Sequence, residues 1–270
     1  MSAPSGRAAT DIAAAVAAPP KEAAPVRLAS TIMLLRDGVA GLEVFMVVRH
    51  HEIDFASGAL VFPGGSVEPG DSEIVVDTDL RAKTSPDLLA LRVGAIRETF
   101  EECGLLLARV RGNRDLVNHA IASIIDAEGG RADFAAAVQR HDLLPAVDLL
   151  QPFAHWVTPS FMPKRFDTHF FLAAAPPDQL AAHDGRESID SLWINPEQAL
   201  EDAKAGKYTI IFPTRLNLQM LGPAKSVAEA MDQARARKIV TVTPEPVKLA
   251  TGRGLRIPIE AGYGGDVFEI

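Results

Sequence analysis

The sequence predicts an α+β fold, a mixed β-sheet sandwiched between helices. Three observations point to that class. Short β-rich apolar runs and stretches of helical periodicity interleave without a steady strand–helix–strand rhythm. Hydrophobic residues make up 47% of the 270 positions, enough for a sizeable core in one large decorated domain. No internal repeat divides the chain, which argues against a solenoid.

Residues 1–25 are rich in Ala, Pro and Ser. Arg7, Asp11, Pro19, Pro20 and Lys21 interrupt any continuous apolar core, so this stretch reads as a disordered tail rather than a signal peptide. Strands are predicted at Thr31–Leu35 and Leu42–Val48, with Arg36-Asp37-Gly38 between them as a hairpin connection. A third short strand, Ala59–Phe62, runs into Pro63-Gly64-Gly65. Residues 67–86 are polar and turn-rich. A helix follows, with Ser85 as its cap, Pro86 at its first position and Gly104 as its stop. Leu89, Val93, Ile96 and Phe100 recur at helical spacing and form its apolar stripe.

Leu105–Val110 reads as a strand, and residues 113–139 as two short helices broken at Gly129-Gly130. Strands are expected at 156–158, 168–173 and 192–194. Asn195-Pro196-Glu197 opens a helix to about Ala205, and further helices cover 214–221 and 224–237. From Ile239 on, short β-like runs alternate with Pro and Gly. This gives a main domain over 26–221 and a C-terminal extension over 222–270 packed on it.

The net charge of −8 disfavours generic nucleic-acid binding, since the surface repels phosphate backbones at long range. An anionic small molecule remains compatible, because a metal or local cations reverse the sign at one site. The single cysteine, Cys103, excludes an internal disulfide and reads as small core filling. No apolar run is long enough for a membrane span, Phe268-Glu269-Ile270 is not a peroxisomal address, and the cytoplasm is the default expectation.

The chemistry concentrates in Arg97-Glu98-Thr99-Phe100-Glu101-Glu102-Cys103-Gly104-Leu105. Glu98, Glu101 and Glu102 stand at i, i+3 and i+4, so a helix puts three carboxylates on one face. A divalent cation would relieve their repulsion, and hard oxygen ligands suit Mg²⁺, with Mn²⁺ as an alternative. Arg97 can clamp a carboxylate in bidentate fashion. Upstream, Gly64 and Gly65 let the backbone approach a metal or phosphate. An isolated acidic helix face is commonly just solvated; these two neighbours favour a site.

These segments resemble the Nudix hydrolase superfamily, whose box reads G-x5-E-x7-R-E-U-x-E-E-x-G-U with U aliphatic. Gly65 opens the box, Asp71 stands where Glu is usual, and Arg97 to Leu105 supply its second half, with Thr99 at an aliphatic position. Where the pattern has seven residues, this chain has the 25 residues Ser72–Ile96. Such a split box is similar to that of the peroxisomal coenzyme A diphosphatases of animals and their bacterial relatives. Arg49-His50-His51, Trp156-Val157-Thr158-Pro159, Lys164 to Phe171, Asp184 to Glu187 and Pro213-Thr214-Arg215 carry the likeness further, over about 26–221.

The resemblance implies a Nudix fold and hydrolysis of a diphosphate within a nucleotide-containing small molecule, with coenzyme A or its acyl thioesters leading. ADP-ribose, NADH and nucleotide sugars stay open, as does a non-catalytic nucleotide-sensing module. It implies that Glu101 and Glu102 bind metal with the Gly64 carbonyl, and that Glu98 binds metal or orients the attacking water. Glu187 is a candidate general base or ligand on a later loop, beside the reading of an ordinary surface glutamate. Arg49, Lys164 and Arg165 are candidate phosphate holders. Arg97, Gly65 and Gly104 are structural. His50-His51 point opposite ways on an extended segment and read as loop histidines rather than ligands of one ion. Trp156 and Trp193 read as core or sheet-face residues. A homodimer built on the C-terminal extension is compatible with either reading.

Overall fold

A computed structural model of the protein describes residues 23–49, 58–179 and 188–270. Its first strand, β1 (Val26–Gly38), carries the run Thr31-Ile32-Met33-Leu34-Leu35. A run with four successive apolar positions, Ile32 to Leu35, suits a strand covered on both faces. The structure bears this out: Ile32 and Leu34 join one buried cluster, Met33 and Leu35 the other. β2 (Gly41–Arg49) returns antiparallel through the predicted hairpin, pairing Gly38 with Gly41 and Leu35 with Val44.

Past that point β1 and β2 diverge, and the next two strands fill the gap. β3 (Leu60–Val61) pairs with β2, and β4 (Gly64–Ser66) pairs with β1. The Pro63 carbonyl between them accepts from Ile32 N at 3.1 Å. Gly64 lies so close to β1 that an added Cβ would stand 2.4 Å from the Ser30 carbonyl oxygen, and its φ is +153°. Only glycine fits there.

The stretch predicted as turns contains a 3₁₀ turn at Pro69–Ser72 and a helix, α1 (Thr78–Lys83). Asp77 starts α1 by accepting from Asp79 N at 2.9 Å and Leu80 N at 3.3 Å. The composition hid a six-residue helix that a single cap initiates. The long helix α2 (Pro86–Cys103) keeps its predicted limits. Ser85 caps it, Pro86 takes its first turn, and Gly104 ends it in the left-handed region at φ +69°. The strand expected from Leu105 begins at Ala108: Leu105–Leu107 are fully buried but unpaired in a sheet, and β5 is Ala108–Val110.

The two predicted short helices form as α3 (His119–Ala127) and α4 (Phe134–Arg140). β6 (Leu143–Pro145), not predicted, pairs with β5. β7 (Gln151–Val157) and β8 (Arg165–Ala174) are antiparallel neighbours, and β8 runs parallel to β1 over ten residue pairs. β9 (Ser188–Ile194) pairs with β2. α5 (Pro196–Lys204), α6 (Phe212–Leu221) and α7 (Val227–Ala236) follow. β10 (Thr241–Val242) then adds to β7 at the end of the sheet, in parallel. β11 (Glu245–Lys248), β12 (Arg253–Arg256) and β13 (Val267–Glu269) make a separate three-stranded sheet.

The mixed eight-stranded sheet is therefore covered on both faces, the Nudix arrangement. α2, α3 and α4 pack with Ile32, Phe45, Val47 and Phe171 on one face. α6, α7 and the C-terminal residues Val242, Leu255, Ile257 and Ala261 pack with Met33, Val44, Met46 and Leu172 on the other. Across the second interface Tyr263 Oη accepts from Trp156 Nε1 at 2.9 Å and donates to Asn217 Oδ1 at 2.8 Å. Trp156 is thus a sheet-face anchor, and Trp193 meets Phe45 at a tilt, 5.2 Å between ring centroids, beneath Arg36. None of the described helices is long and apolar enough to cross a membrane.

Candidate functional site

Arg97 organises the site. It is nearly fully buried and makes a bidentate pair with Asp71, Nε to Oδ1 at 2.8 Å and Nη2 to Oδ2 at 3.1 Å. The remaining donors reach Glu98 Oε1 at 2.9 Å, Glu101 Oε2 at 3.0 Å and the Ser66 carbonyl at 2.9 Å. Burial alone would lower the Arg97 pKa; the Asp71 hydrogen bonds and the charges of Glu98, Asp71 and Glu101 outweigh it and raise the pKa, so the guanidinium stays charged. Asp71 also accepts from Glu68 N at 2.8 Å, which folds the 3₁₀ turn. The turn packs tightly on α2: a Cβ on Gly94 would stand 2.8 Å from Asp71 Oδ2.

This arrangement accounts for the insertion. Chain leaves the site after Asp71, forms α1 and the first turns of α2, and re-enters at Arg97. The two ends meet as a buried ion pair 26 residues apart in sequence. The turn brings the Asp71 carboxylate directly onto α2, within reach of Arg97.

The three glutamates share one side of α2 but differ in environment. Glu102 is buried and accepts from Gly64 N at 3.1 Å. The Glu98 side chain is 15% exposed and the Glu101 side chain 29%. The Glu98 carboxyl group lies directly under Gly65, where a Cβ would come within 2.6 Å of it. Gly65 thus leaves room for a carboxylate, and Gly64 presents its N–H to another. Burial pushes the Glu101 pKa up; Arg97 opposes this, while Glu68 and Asp71 add to it. Among the described residues, the glutamates do not place one oxygen each within 4.8 Å of one another. Arg97 and the Gly64 amide hold them apart.

Glu98, Gly64 and Gly65 border a cavity of about 1270 Å³ that opens on the face of the sheet away from α2. Because strand residues alternate, Arg27, Ala29 and Thr31 of β1 and Thr168 and Phe170 of β8 point into it. Arg49, Lys164 and Arg165, predicted as phosphate holders, all line it. Arg49 Nε is buried and finds no hydrogen-bond partner among the described residues. Arg165 is partly committed elsewhere, with Nε donating to the Thr158 carbonyl at 3.1 Å and Nη1 to the Ala24 carbonyl at 3.2 Å. Glu187 and His50-His51 lie outside the described residues.

Sequence reasoning missed Arg27, Arg215 and the apolar wall of Phe161, Met162, Tyr208 and Ile210. Alternation along β1 could have found Arg27, two and four positions before Ala29 and Thr31. Arg215 sits 5.4 Å from the Phe212 ring centroid, and burial lowers its pKa.

A family-wide profile described as the NUDT19 Nudix domain matches residues 73–221. Among curated relatives, the acyl-coenzyme A diphosphatase NUDT19 of Xenopus laevis is 25% identical, with 69% of this chain matched to 61% of that protein. The enzyme of the same name from Gallus gallus is 28% identical, covering 68% of this chain and 63% of that protein. The chain thus spans less than two thirds of the length of these relatives. Among solved structures, a Nudix hydrolase from Alicyclobacillus acidocaldarius superposes with a TM-score of 0.62 at 28% identity, covering 77% of this chain and 96% of that one.

Proposed function

The chain belongs to the NUDT19 Nudix domain family, and from that premise we propose that it is a divalent-metal-dependent hydrolase of a diphosphate-linked nucleotide, with acyl-coenzyme A or coenzyme A as its substrate. The observation that carries this reading is the closure of the split box. The Asp71–Arg97 pair restores the motif across the insertion and sets Glu98 at the edge of a cavity lined by cations and apolar side chains.

A divalent ion fits the donor set. Glu98, Glu101 and Glu102 offer hard oxygens from one helix face, the donor type that Mg²⁺ prefers. Mg²⁺ bound there would neutralise charge on the diphosphate and lower the pKa of water. The protein's own groups do the rest. Arg49, whose buried Nε has no partner among the described residues, holds a phosphate oxygen, and Lys164 adds positive charge on the same cavity wall. Glu98 accepts a proton from the attacking water as its oxygen bonds to one phosphorus. The bridging oxygen leaves with the other phosphorus. A nucleoside phosphate and the phosphate of the second moiety result. Arg97 keeps the helix face in register and touches no substrate. Phe161, Met162 and Ile210 supply an apolar surface for a pantetheine arm or acyl chain. Glu187 remains our candidate for a second base.

Product release from coenzyme A, acyl-coenzyme A, ADP-ribose, NADH and nucleotide sugars, identified by mass, tests the proposal. We expect a coenzyme A compound to be cleaved in Mg²⁺, with cleavage lost in EDTA and in Glu101→Gln. Cleavage of a different compound would keep the class and replace the substrate. No cleavage at all, with a nucleotide still raising the melting temperature, would replace the hydrolase by a sensing module.

A further inference from the structure

On the opposite face of the sheet from the cavity, three side chains converge that the proposed hydrolysis does not use. His155 of β7 and His169 of β8 are direct cross-strand partners, and Asp167 is two residues before His169 on the same face. Their neighbours Trp156, Thr168 and Phe170 point the other way, into the cavity. His155 Nε2 lies 2.5 Å from Asp167 Oδ1, and His169 Nε2 lies 3.6 Å from the same oxygen. The two rings stack at 4.0 Å between centroids, 22° from parallel. One ligand atom from each residue falls within 4.8 Å of the others.

We propose that His155, Asp167 and His169 form a second metal site, selective for a late first-row divalent ion such as Zn²⁺ over Mg²⁺. Two imidazoles and one carboxylate are a borderline donor set that zinc accepts and that magnesium, which prefers oxygen alone, does not. Bonds of about 2.0–2.2 Å in tetrahedral geometry need donors roughly 3.3–3.6 Å apart. The separations of 2.5 and 3.6 Å from Asp167 Oδ1 bracket that spacing, and the paired strands hold the three residues in register. The fourth position faces solvent, since each of the three side chains is partly exposed.

A supporting hydroxyl is in place. Thr241 Oγ1 of β10 lies 2.8 Å from His155 Nδ1. Metal-bound imidazoles characteristically hydrogen-bond through their other nitrogen, which fixes the tautomer. His155 thus has a partner at each ring nitrogen, Asp167 Oδ1 at Nε2 and the Thr241 hydroxyl at Nδ1. With Nε2 on a metal ion, the Nδ1–H would donate to the Thr241 hydroxyl. An ion here would tie β7, β8 and β10 together, and with them the C-terminal extension.

The test is Zn²⁺ uptake by the tag-free, chelator-washed full chain in excess Mg²⁺, with Co²⁺ as the spectroscopic stand-in. We expect one equivalent of Zn²⁺ retained against Mg²⁺ and visible d–d bands from Co²⁺. Both should be lost in His169→Gln and in Asp167→Asn, with Mg²⁺-dependent turnover kept. Thr241→Val should bind roughly 10–100-fold more weakly. Failure of the wild-type chain to take up Zn²⁺ in excess Mg²⁺ would overturn the proposal, as would undiminished uptake by the two ligand variants. Should those variants not fold, the ring protons of His155 and His169 in the Co²⁺-loaded wild type decide. Paramagnetically shifted rings support the site, and unshifted rings overturn it.

Discussion

The glutamate cluster of α2 and the histidine cluster of β7 and β8 are built in opposite ways, one on a helix packed against the sheet and the other on two of its strands. The first takes its spacing from a single helix, with Glu98, Glu101 and Glu102 within five residues. It relies on one buried arginine to hold it against a distant turn. The second takes its spacing from strand pairing, with His155 opposite His169. The donors differ too: oxygen alone in the first, mostly nitrogen in the second. A helical cluster is written in adjacent sequence, whereas a cross-strand cluster exists only once register is set.

Arg97 is where this comparison breaks most strongly. Arg97→Met leaves Asp71 buried without its cation, and breaking such a pair costs about 3–5 kcal/mol. Thermal or urea denaturation should show that loss. The strand-built site has no comparable keystone, so His169→Gln should move the midpoint far less.

The two box glycines sharpen the contrast within the glutamate cluster. Gly64→Ala drives a Cβ into the Ser30 carbonyl and Thr31 Cα at φ +153°, and backbone cannot yield cheaply. A destabilisation of about 1–3 kcal/mol is expected. Gly65→Ala meets, as its nearest atoms, the carboxylate end of Glu98 rather than backbone. It should fold with little loss of stability, yet turnover should fall by roughly 10²-fold as the carboxylate swings away. Equal effects of the two substitutions on stability would contradict this division.

The smallest expected effect lies on the cavity-facing side of β7. Burial pushes the Tyr263 pKa up to about 12, with Trp156 and Arg237 opposing the shift. A group raised in the folded state contributes stability that is whole below the ordinary value of 10.0 and is lost as pH rises through about 12. Tyr263→Phe removes the bonds to Trp156 and Asn217, at about 1 kcal/mol near neutral pH. It should also flatten the alkaline fall in stability, read from denaturation midpoints across that window.

The same contrast explains what the sequence made legible. Ser85, Pro86 and Gly104 delimit α2 by local rules, and the structure keeps those limits. Arg97 reads as a clamp from its place beside Glu98. That it grips Asp71 across 25 intervening residues is a tertiary fact that no spacing encodes. α1 was hidden because six residues with a single large apolar side chain, Leu80, carry no periodicity, and β6 because three residues carry none either. Arg49, Lys164 and Arg165 do share one cavity, but the Ala24 and Thr158 carbonyls engage Arg165 in ways that only packing reveals. His155 and His169 are 14 positions apart, and nothing local marks them as partners.

The central claim is that Asp71 and Arg97 act as one unit to close a working box over the insertion. A double-mutant cycle of Asp71→Asn and Arg97→Met, read as Mg²⁺-dependent turnover of acyl-coenzyme A, tests it most directly. The expected result is strong non-additivity, with the double variant no slower than the worse single variant and a coupling of about 1–3 kcal/mol. Additive losses would mean that the two residues contribute separately and that the box is not closed by their pairing.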